Sequence, residues 1–131
     1  EAHRKVVRES LEVIKEAIAH GVIKRQRTIG FHCSAAIVDI LEIYLHSKNL
    51  ISPGAKIQHD FFSSKRRAME KLSQEFENKE NIIEILVRIE EKRNQLCCGK
   101  EQSKEFVDNY IESFNKAKRI FDSMDVEYEQ K

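Results

Sequence analysis

Apolar residues recur every three or four positions along most of this chain, which is the spacing of one face of an α-helix. The pattern predicts five helical segments, at about residues 2–20, 22–47, 53–76, 79–97 and 104–124. The last segment has the clearest amphipathic pattern. Short connections between long helices place neighbours antiparallel. The predicted fold is therefore all-α, an up-and-down antiparallel bundle of four to five helices that forms a single domain over residues 1–131.

Several residues between the periodic segments are typical of helix ends. Gly21 predicts a break after the first helix. Ser52 followed by Pro53 resembles an N-cap with proline at the first helical position, so the third helix is predicted to begin there. Asn78 and Ser103 are the predicted N-caps of the fourth and fifth helices.

The second segment is predicted to be the central helix of the bundle. Its apolar positions cover most of its circumference, and they are Ile29, Cys33, Ala36, Ile37, Val38, Ile40, Leu41, Tyr44 and Leu45. A helix that is apolar on most sides is buried by its neighbours. The small residues Ser34, Ala35 and Ala36 are expected to let a neighbouring helix approach closely.

Composition and charge indicate a soluble, folded, helix-rich protein. Apolar residues make up 40% of the 131 residues and charged residues 34%, which argues against disorder. The formal net charge of +1 is too small for nucleic-acid binding by bulk electrostatics, so such binding would need a local patch.

The cysteines and the apolar runs bear on the compartment. Cys33, Cys97 and Cys98 are odd in number and two of them are adjacent, so no disulfide framework is expected and a reducing, cytoplasmic location is predicted. No apolar run approaches the roughly 20 residues of a membrane span, and the first residues do not resemble a signal peptide. No membrane partner is therefore expected.

The strongest functional clue is Arg93, near the end of the fourth segment. When that helix is registered on its apolar residues, Arg93 falls inside their stripe, which contains Ile82, Leu86, Ile89 and Leu96. A charged side chain there costs free energy unless it is paired or used. Two interpretations stay open: the arginine reaches water or an acidic partner from the edge of the core, or it contacts a ligand.

A ligand at this position would be an anion. Arginine presents a planar fork of donors that suits phosphate, and Asn94 adds a neutral donor and acceptor. The helix is predicted to end at Gly99, beside Lys100, which leaves a mouth through which a ligand could approach. Arg93, Asn94, Cys98 and Lys100 are the candidate ligand-binding residues.

The run Arg93-Asn94-Gln95-Leu96-Cys97-Cys98 resembles the late-helix motif of HEPN domains (higher eukaryotes and prokaryotes nucleotide-binding). That motif is an arginine, usually followed by a polar residue and, several positions later, by a histidine. The resemblance implies a dimeric protein with the motif near the end of the fourth helix. In active members it implies metal-independent RNA cleavage, in which the arginine stabilises phosphate charge and the histidine handles the proton of the ribose hydroxyl.

This chain departs from the motif at the histidine. Cys98 stands where the histidine is expected, and no histidine follows His59. A buried thiol is a poor acid–base group unless its pKa is lowered. The prediction is therefore a HEPN-like nucleotide- or RNA-associated protein without nuclease activity, with no cofactor and no metal.

Two other histidine arrangements have simpler explanations. Arg27 and His32 also match the Arg-x4-His spacing, but they lie about 140° apart around the second helix and do not share a face. His59 and Asp60 could place a base beside a carboxylate. Adjacent helical residues do not face each other, so a capping or surface role stays open for this pair.

The sequence argues against a metal site and leaves a nucleic-acid surface open. No histidine has a glutamate three residues before it, which argues against the Glu-x-x-His motif of di-iron bundles. The basic clusters at residues 24–27 and 65–67 could follow a phosphate backbone or form solvated helix faces.

Two classes of function therefore stay open. The first is the HEPN-like protein, a homodimer that the resemblance also places as the partner of a small nucleotidyltransferase in a toxin–antitoxin-like pair. The second is a non-catalytic helical scaffold or protein-interaction module that has kept the fold and lost the chemistry.

Overall fold

The computed structural model describes residues 2–126, with side chains from residue 4 onward. It contains five α-helices, α1 (Ala2–His20), α2 (Gln26–Ser47), α3 (Lys65–Lys71), α4 (Lys79–Cys98) and α5 (Lys104–Ser123), and one 3₁₀ helix (His59–Ser63). This part of the chain contains no β-strand. The predicted all-α helical bundle is confirmed.

Helix α2 lies at the centre of the bundle because it is apolar on most of its circumference. It packs against α1, α4 and α5, whereas α1 packs against α2 alone among the described elements. All nine apolar positions that were predicted to face inward on α2 are buried. The prediction of a central second helix is confirmed.

The composition of α2 corrects one expectation. By length and composition alone, Gln26–Ser47 would be long and apolar enough to cross a membrane, although no such segment was expected. Within its most apolar 18-residue window, 72% is buried inside the bundle. The core helix of a soluble protein passes the same test, so packing against the other helices is enough to explain the apolarity of α2.

The third helical segment is shorter than predicted. Pro53 does not begin a helix, because residues 50–58 form a loop and the 3₁₀ helix follows it. Helix α3 covers only seven residues. Its N-cap is Ser64, whose backbone is extended and whose Oγ accepts a hydrogen bond from the backbone N–H of Arg67 at 3.0 Å.

A buried carboxylate explains why the loop does not continue as a helix. Glu42 on α2 is 3% exposed, and its Oε1 accepts a hydrogen bond from the Ile57 N–H at 2.7 Å. That N–H is therefore not available to a helical carbonyl. A second bond joins α2 to the loop, because His46 Nε2 lies 3.2 Å from the Ala55 carbonyl oxygen. These tertiary bonds override the local Ser-Pro signal.

Most other helix ends follow the sequence signals. Gly21 has a φ of +118°, and α1 ends immediately before it. Ser103 Oγ accepts the backbone N–H three residues later at 3.1 Å, as predicted for the N-cap of α5. Asn78 occupies the N-cap position of α4, but its backbone is left-handed and its side chain makes no capping bond. Helix α2 begins at Gln26, four residues later than predicted, because residues 22–25 form a turn.

Helices α2, α4 and α5 approach one another closely at Gly30. A Cβ atom added to Gly30 would lie 2.8 Å from Leu96 Cβ on α4, closer than carbon atoms pack. The Tyr110 hydroxyl on α5 donates a hydrogen bond to the Gly30 carbonyl oxygen at 2.6 Å. Burial raises the pKa of Tyr110 far above its ordinary value, so this hydroxyl keeps its proton. The close approach expected at residues 34–36 stays a prediction.

Replacement of Gly30 by alanine is expected to destabilise the bundle. Overpacking costs about 1–3 kcal/mol, whereas the better helix propensity of alanine offsets about 1 kcal/mol of that cost. We expect Gly30→Ala to lower the free energy of unfolding by about 1 kcal/mol in a urea titration. Gly54→Ala is the matched control, because an added Cβ at Gly54 meets nothing within 4 Å. A Gly30→Ala variant as stable as the parent would contradict the close packing of α2 and α4.

Candidate functional site

Arg93 lies at the edge of the apolar stripe of α4, with 22% of its side chain exposed. Its guanidinium carbon is 5.8 Å from the centroid of the Phe31 ring on α2. Its Nη1 is 3.8 Å from Glu90 Oε1. Its Nε is buried and forms no hydrogen bond within the described part of the chain. The arginine is thus held between an aromatic ring and a carboxylate.

These contacts leave the guanidinium donors of Arg93 largely unused. The 3.8 Å separation from Glu90 is too long for a hydrogen bond, since N–H···O bonds span about 2.7–3.2 Å. A partly buried cation with so few bonds costs free energy, because its lost hydration is not replaced. Phosphate oxygens bound to the Nη1 and Nη2 atoms of Arg93 would replace this lost hydration.

Glu90 joins Arg93 to two residues on other elements. While its Oε1 faces Arg93, its Oε2 lies 3.4 Å from Ser34 Oγ on α2 and 3.4 Å from His59 Nδ1 on the 3₁₀ helix. The Glu90 side chain is 14% exposed, and Ser34 is 1% exposed. One carboxylate therefore connects α2, the 3₁₀ helix and the end of α4.

The contacts around Ser34 favour the neutral tautomer of His59 that carries its proton on Nδ1. Ser34 has one hydroxyl proton, and the Glu90 carboxylate only accepts, so Ser34 donates to Glu90. Ser34 Oγ then accepts the proton on His59 Nδ1, 3.1 Å away. In the neutral imidazole this arrangement leaves a lone pair on Nε2. No residue in the described part of the chain bonds to that nitrogen.

The sequence pattern did not reveal the roles of Phe31, Ser34 and Glu90 at this site. Ser34 carried a usable signal, because it is a polar residue inside the apolar stripe of α2. Glu90 carried a weaker one, since it lies one helical turn before Arg93. Phe31 carried none, because a lone aromatic residue on a helix does not reveal what it faces.

Asn94 and Asp60 line a cavity that Glu90 also borders. The cavity lies between α4 and the 3₁₀ helix, has a volume of about 420 Å³, and is lined by Asp60, Phe62, Ser63, Val87, Glu90, Glu91 and Asn94. Arg67 donates from Nη2 to Asp60 Oδ2 at 2.9 Å and from Nε to the Asp60 carbonyl oxygen at 3.0 Å. His59 and Asp60 thus contact different partners, as expected for adjacent residues.

Cys98 and Lys100 lie beyond this cluster, at the end of α4. Cys98 is exposed and makes none of the described contacts with Arg93, Glu90 or His59. Lys100 is used through its main chain, because its carbonyl oxygen accepts a hydrogen bond from Gln26 Nε2 at 3.2 Å. The exposed amino group of Lys100 makes no described hydrogen bond. Contact of Cys98 or Lys100 with a ligand therefore stays a prediction.

The alternative pair, Arg27 and His32, is not brought together by any described contact. His32 Nδ1 lies 3.4 Å from Ser10 Oγ on α1, and burial lowers the pKa of His32. Arg27 is exposed. Among the described residues, no group of three His, Cys, Asp or Glu side chains could hold a metal ion.

Acidic neighbours neutralise the second of the two basic clusters, at residues 65–67. In the second, Lys65 Nζ lies 2.8 Å from Glu80 and 2.9 Å from Glu84, while Arg66 pairs with Glu70 at 3.3 Å. The pairing raises the pKa of Lys65 and lowers that of Glu84 through a direct hydrogen bond. Since Arg67 bonds to Asp60 as well, this cluster is a paired surface and a poor one for a phosphate backbone.

The fold and the cluster define a small all-α bundle with a partly buried arginine at the meeting point of three elements. Comparison of the chain with protein-family models, curated proteins and solved structures finds no match. The contacts described above are therefore the observations on which a function can be argued.

The three cysteines are expected to react with iodoacetamide in the order Cys98, Cys97, Cys33. Burial raises the pKa of Cys33 and Cys97, which lowers their thiolate fraction, whereas Cys98 is exposed. After labelling at about pH 8, peptide fragmentation in a mass spectrometer would distinguish the labels on Cys97 and Cys98. Higher pH should speed the labelling of Cys97, and Cys33 should react only on unfolding. Labelling of Cys33 in the folded protein at the rate of Cys98 would contradict its burial.

Proposed function

We propose that this protein binds a phosphate group of a nucleotide or of RNA through Arg93, as a HEPN-like nucleotide- or RNA-associated protein. The observation that carries the proposal is the guanidinium of Arg93, which is positioned by Phe31 and Glu90 but forms no hydrogen bond within the described chain. An arginine that is already positioned loses little side-chain entropy when it binds an anion.

An exposed basic cluster beside the same end of α4 supports the proposal. Lys24, Arg25 and Arg27 are exposed around the start of α2. Gln26, in the middle of that cluster, donates to the Leu96 carbonyl oxygen at 3.3 Å, so the cluster lies against the last turns of α4. Phosphates that flank the one at Arg93 would meet positive charge there.

Arg93→Ala is expected to weaken the binding of a short single-stranded RNA roughly ten- to hundredfold, since charge-assisted hydrogen bonds contribute about 1.5–3 kcal/mol. Fluorescence anisotropy across a series of salt concentrations would measure the affinity. The slope of log K against log salt should also fall by about 1, because one phosphate contact is lost.

Two variants make this test specific. Arg93→Lys keeps the charge but loses the planar fork, so an intermediate affinity is expected. Arg119→Ala removes a charge from α5, where Arg119 is 63% exposed and pairs with Glu112 at 2.9 Å. This control should bind as the parent does. If Arg93→Ala also binds as tightly as the parent, the proposal is wrong.

A second candidate function, metal-independent RNA cleavage, is favoured by the position of His59. Nε2 would accept the proton of a ribose 2′-hydroxyl while that oxygen attacks the adjacent phosphorus. The P–O5′ bond breaks, and water protonates the departing 5′-oxygen, which gives a 2′,3′-cyclic phosphate and a 5′-hydroxyl. Arg93 would stabilise the charge on the phosphate. The resemblance assigns this proton transfer to a histidine after Arg93, at the position that Cys98 occupies. In this candidate function, His59 would accept the proton instead.

A cleavage assay with labelled RNA tests this candidate. It predicts that the parent cleaves and that His59→Gln loses about a hundredfold or more, as removal of a general base does. His20→Gln, on the exposed part of α1, is the matched control and should cleave as the parent does. Cleavage only by Cys98→His would instead identify a disabled site that lacks its histidine. Cleavage by none of them would leave the binding function alone.

The homodimer and the nucleotidyltransferase partner remain part of the proposal. Both rest on the resemblance to HEPN domains. A scaffold without a ligand is the remaining alternative. It would account for the bundle, but it assigns no task to the unpaired donors of Arg93.

A further inference from the structure

The cavity between α4 and the 3₁₀ helix has a lining that suits a planar group with hydrogen-bonding edges. Its volume of about 420 Å³ falls within the range of small-ligand sites, about 300–1,000 Å³. Val87 is half-buried and supplies apolar surface, whereas Phe62 borders the cavity but is only 1% exposed. Glu91 and Asn94 supply polar groups and lie three residues apart, on one face of α4.

Of the three carboxylates in this lining, Glu91 is the one without a cationic partner. Asp60 pairs with Arg67 at 2.9 Å. Glu90 lies between Arg93 and His59. No described residue forms an ion pair or hydrogen bond with Glu91, and its carboxylate is exposed at the cavity. The cavity therefore presents one uncompensated pair of acceptor oxygens beside a side-chain amide.

We propose that this cavity binds the guanine base of a nucleotide whose phosphate contacts Arg93, an inference that rests on the phosphate site proposed above. Guanine has two adjacent donors on its Watson–Crick edge, N1–H and the exocyclic amine, and both can donate to one carboxylate, here that of Glu91. Its O6 is an acceptor beside them, which the amide of Asn94 can serve as a donor.

The other bases fit this lining less well. Adenine and cytosine each place a ring-nitrogen lone pair next to their amino group, and that lone pair would face an oxygen of Glu91. Uracil has a single N–H between two carbonyl oxygens, so it too would bring an acceptor against the carboxylate. A site built around hydrogen bonds discriminates strongly against a ligand that leaves them unmade.

The position of Glu90 connects this cavity to Arg93. Glu90 is part of the cavity lining, and its Oε1 is also the atom that faces Arg93. Asn94 follows Arg93 directly on α4. The base and the phosphate of one nucleotide would therefore both lie next to the Glu90 side chain. An arginine side chain is an alternative ligand for Glu91, because its guanidinium also has two adjacent donors. It has no phosphate group, however, so it would leave Arg93 unbound.

Titration calorimetry with the four nucleoside 5′-monophosphates tests the proposal. The full chain is expected to bind GMP about tenfold more tightly than AMP. Glu91→Gln, which replaces one acceptor oxygen by a donor, should abolish this preference. Glu112→Gln makes the same change on α5, where Glu112 is 66% exposed, and should retain it. Arg93→Ala should weaken GMP and AMP by the same factor, which leaves their ratio unchanged.

Other outcomes separate the base site from the phosphate site. Equal affinities for GMP and AMP, both reduced in Arg93→Ala, would overturn the guanine site and leave the phosphate site standing. Guanosine that binds in a Glu91-dependent manner, with GMP unaffected by Arg93→Ala, would support the base site and overturn the phosphate site. Binding of N-acetyl-arginine amide in place of guanosine would overturn the guanine assignment. Absence of binding by every nucleotide and nucleoside would overturn both.

Discussion

The apolar circumference of α2 is the constraint on which the rest of the structure depends. Such a helix cannot face water along its middle, so the chain covers it with α1, α4 and α5. Gly30 lets α4 come close to α2, and the next residue, Phe31, then lies against Arg93. The packing that buries α2 is thus the same packing that builds the candidate site at its edge.

Periodicity was a sufficient guide where burial alone decides the structure. It predicted the four long helices, because each buries apolar residues that recur at helical spacing. It failed for residues 53–76, where a bond between Glu42 and the backbone of Ile57 decides the conformation. Arg93 was accessible to sequence analysis because its charge conflicts with its position on α4. Its partners were not, since Ser34 and His59 reach Glu90 only through the way α2 and the loop fold around α4.

Glu90 has two electrostatic functions in this arrangement. It compensates the charge of Arg93 from a distance that leaves the arginine donors open, and its other oxygen accepts from the Ser34 hydroxyl and lies 3.4 Å from His59 Nδ1. A shorter, bidentate pair would have neutralised Arg93 more completely and left less capacity for an anion. The 3.8 Å spacing is therefore as informative as the identity of the two residues.

The position of α4 also depends on the amide of Gln26. Its Nε2 donates to the carbonyl oxygens of Leu96 and Lys100, and its Oε1 accepts the Gln102 N–H at 2.8 Å. A glutamate has nearly the same shape, but as a carboxylate it would set oxygen against the two carbonyl oxygens. Deamidation of this one side chain would therefore exchange a single NH₂ for an oxygen and release the end of the helix that carries Arg93. The attachment of that helix end to the start of α2 thus depends on a single side-chain amide.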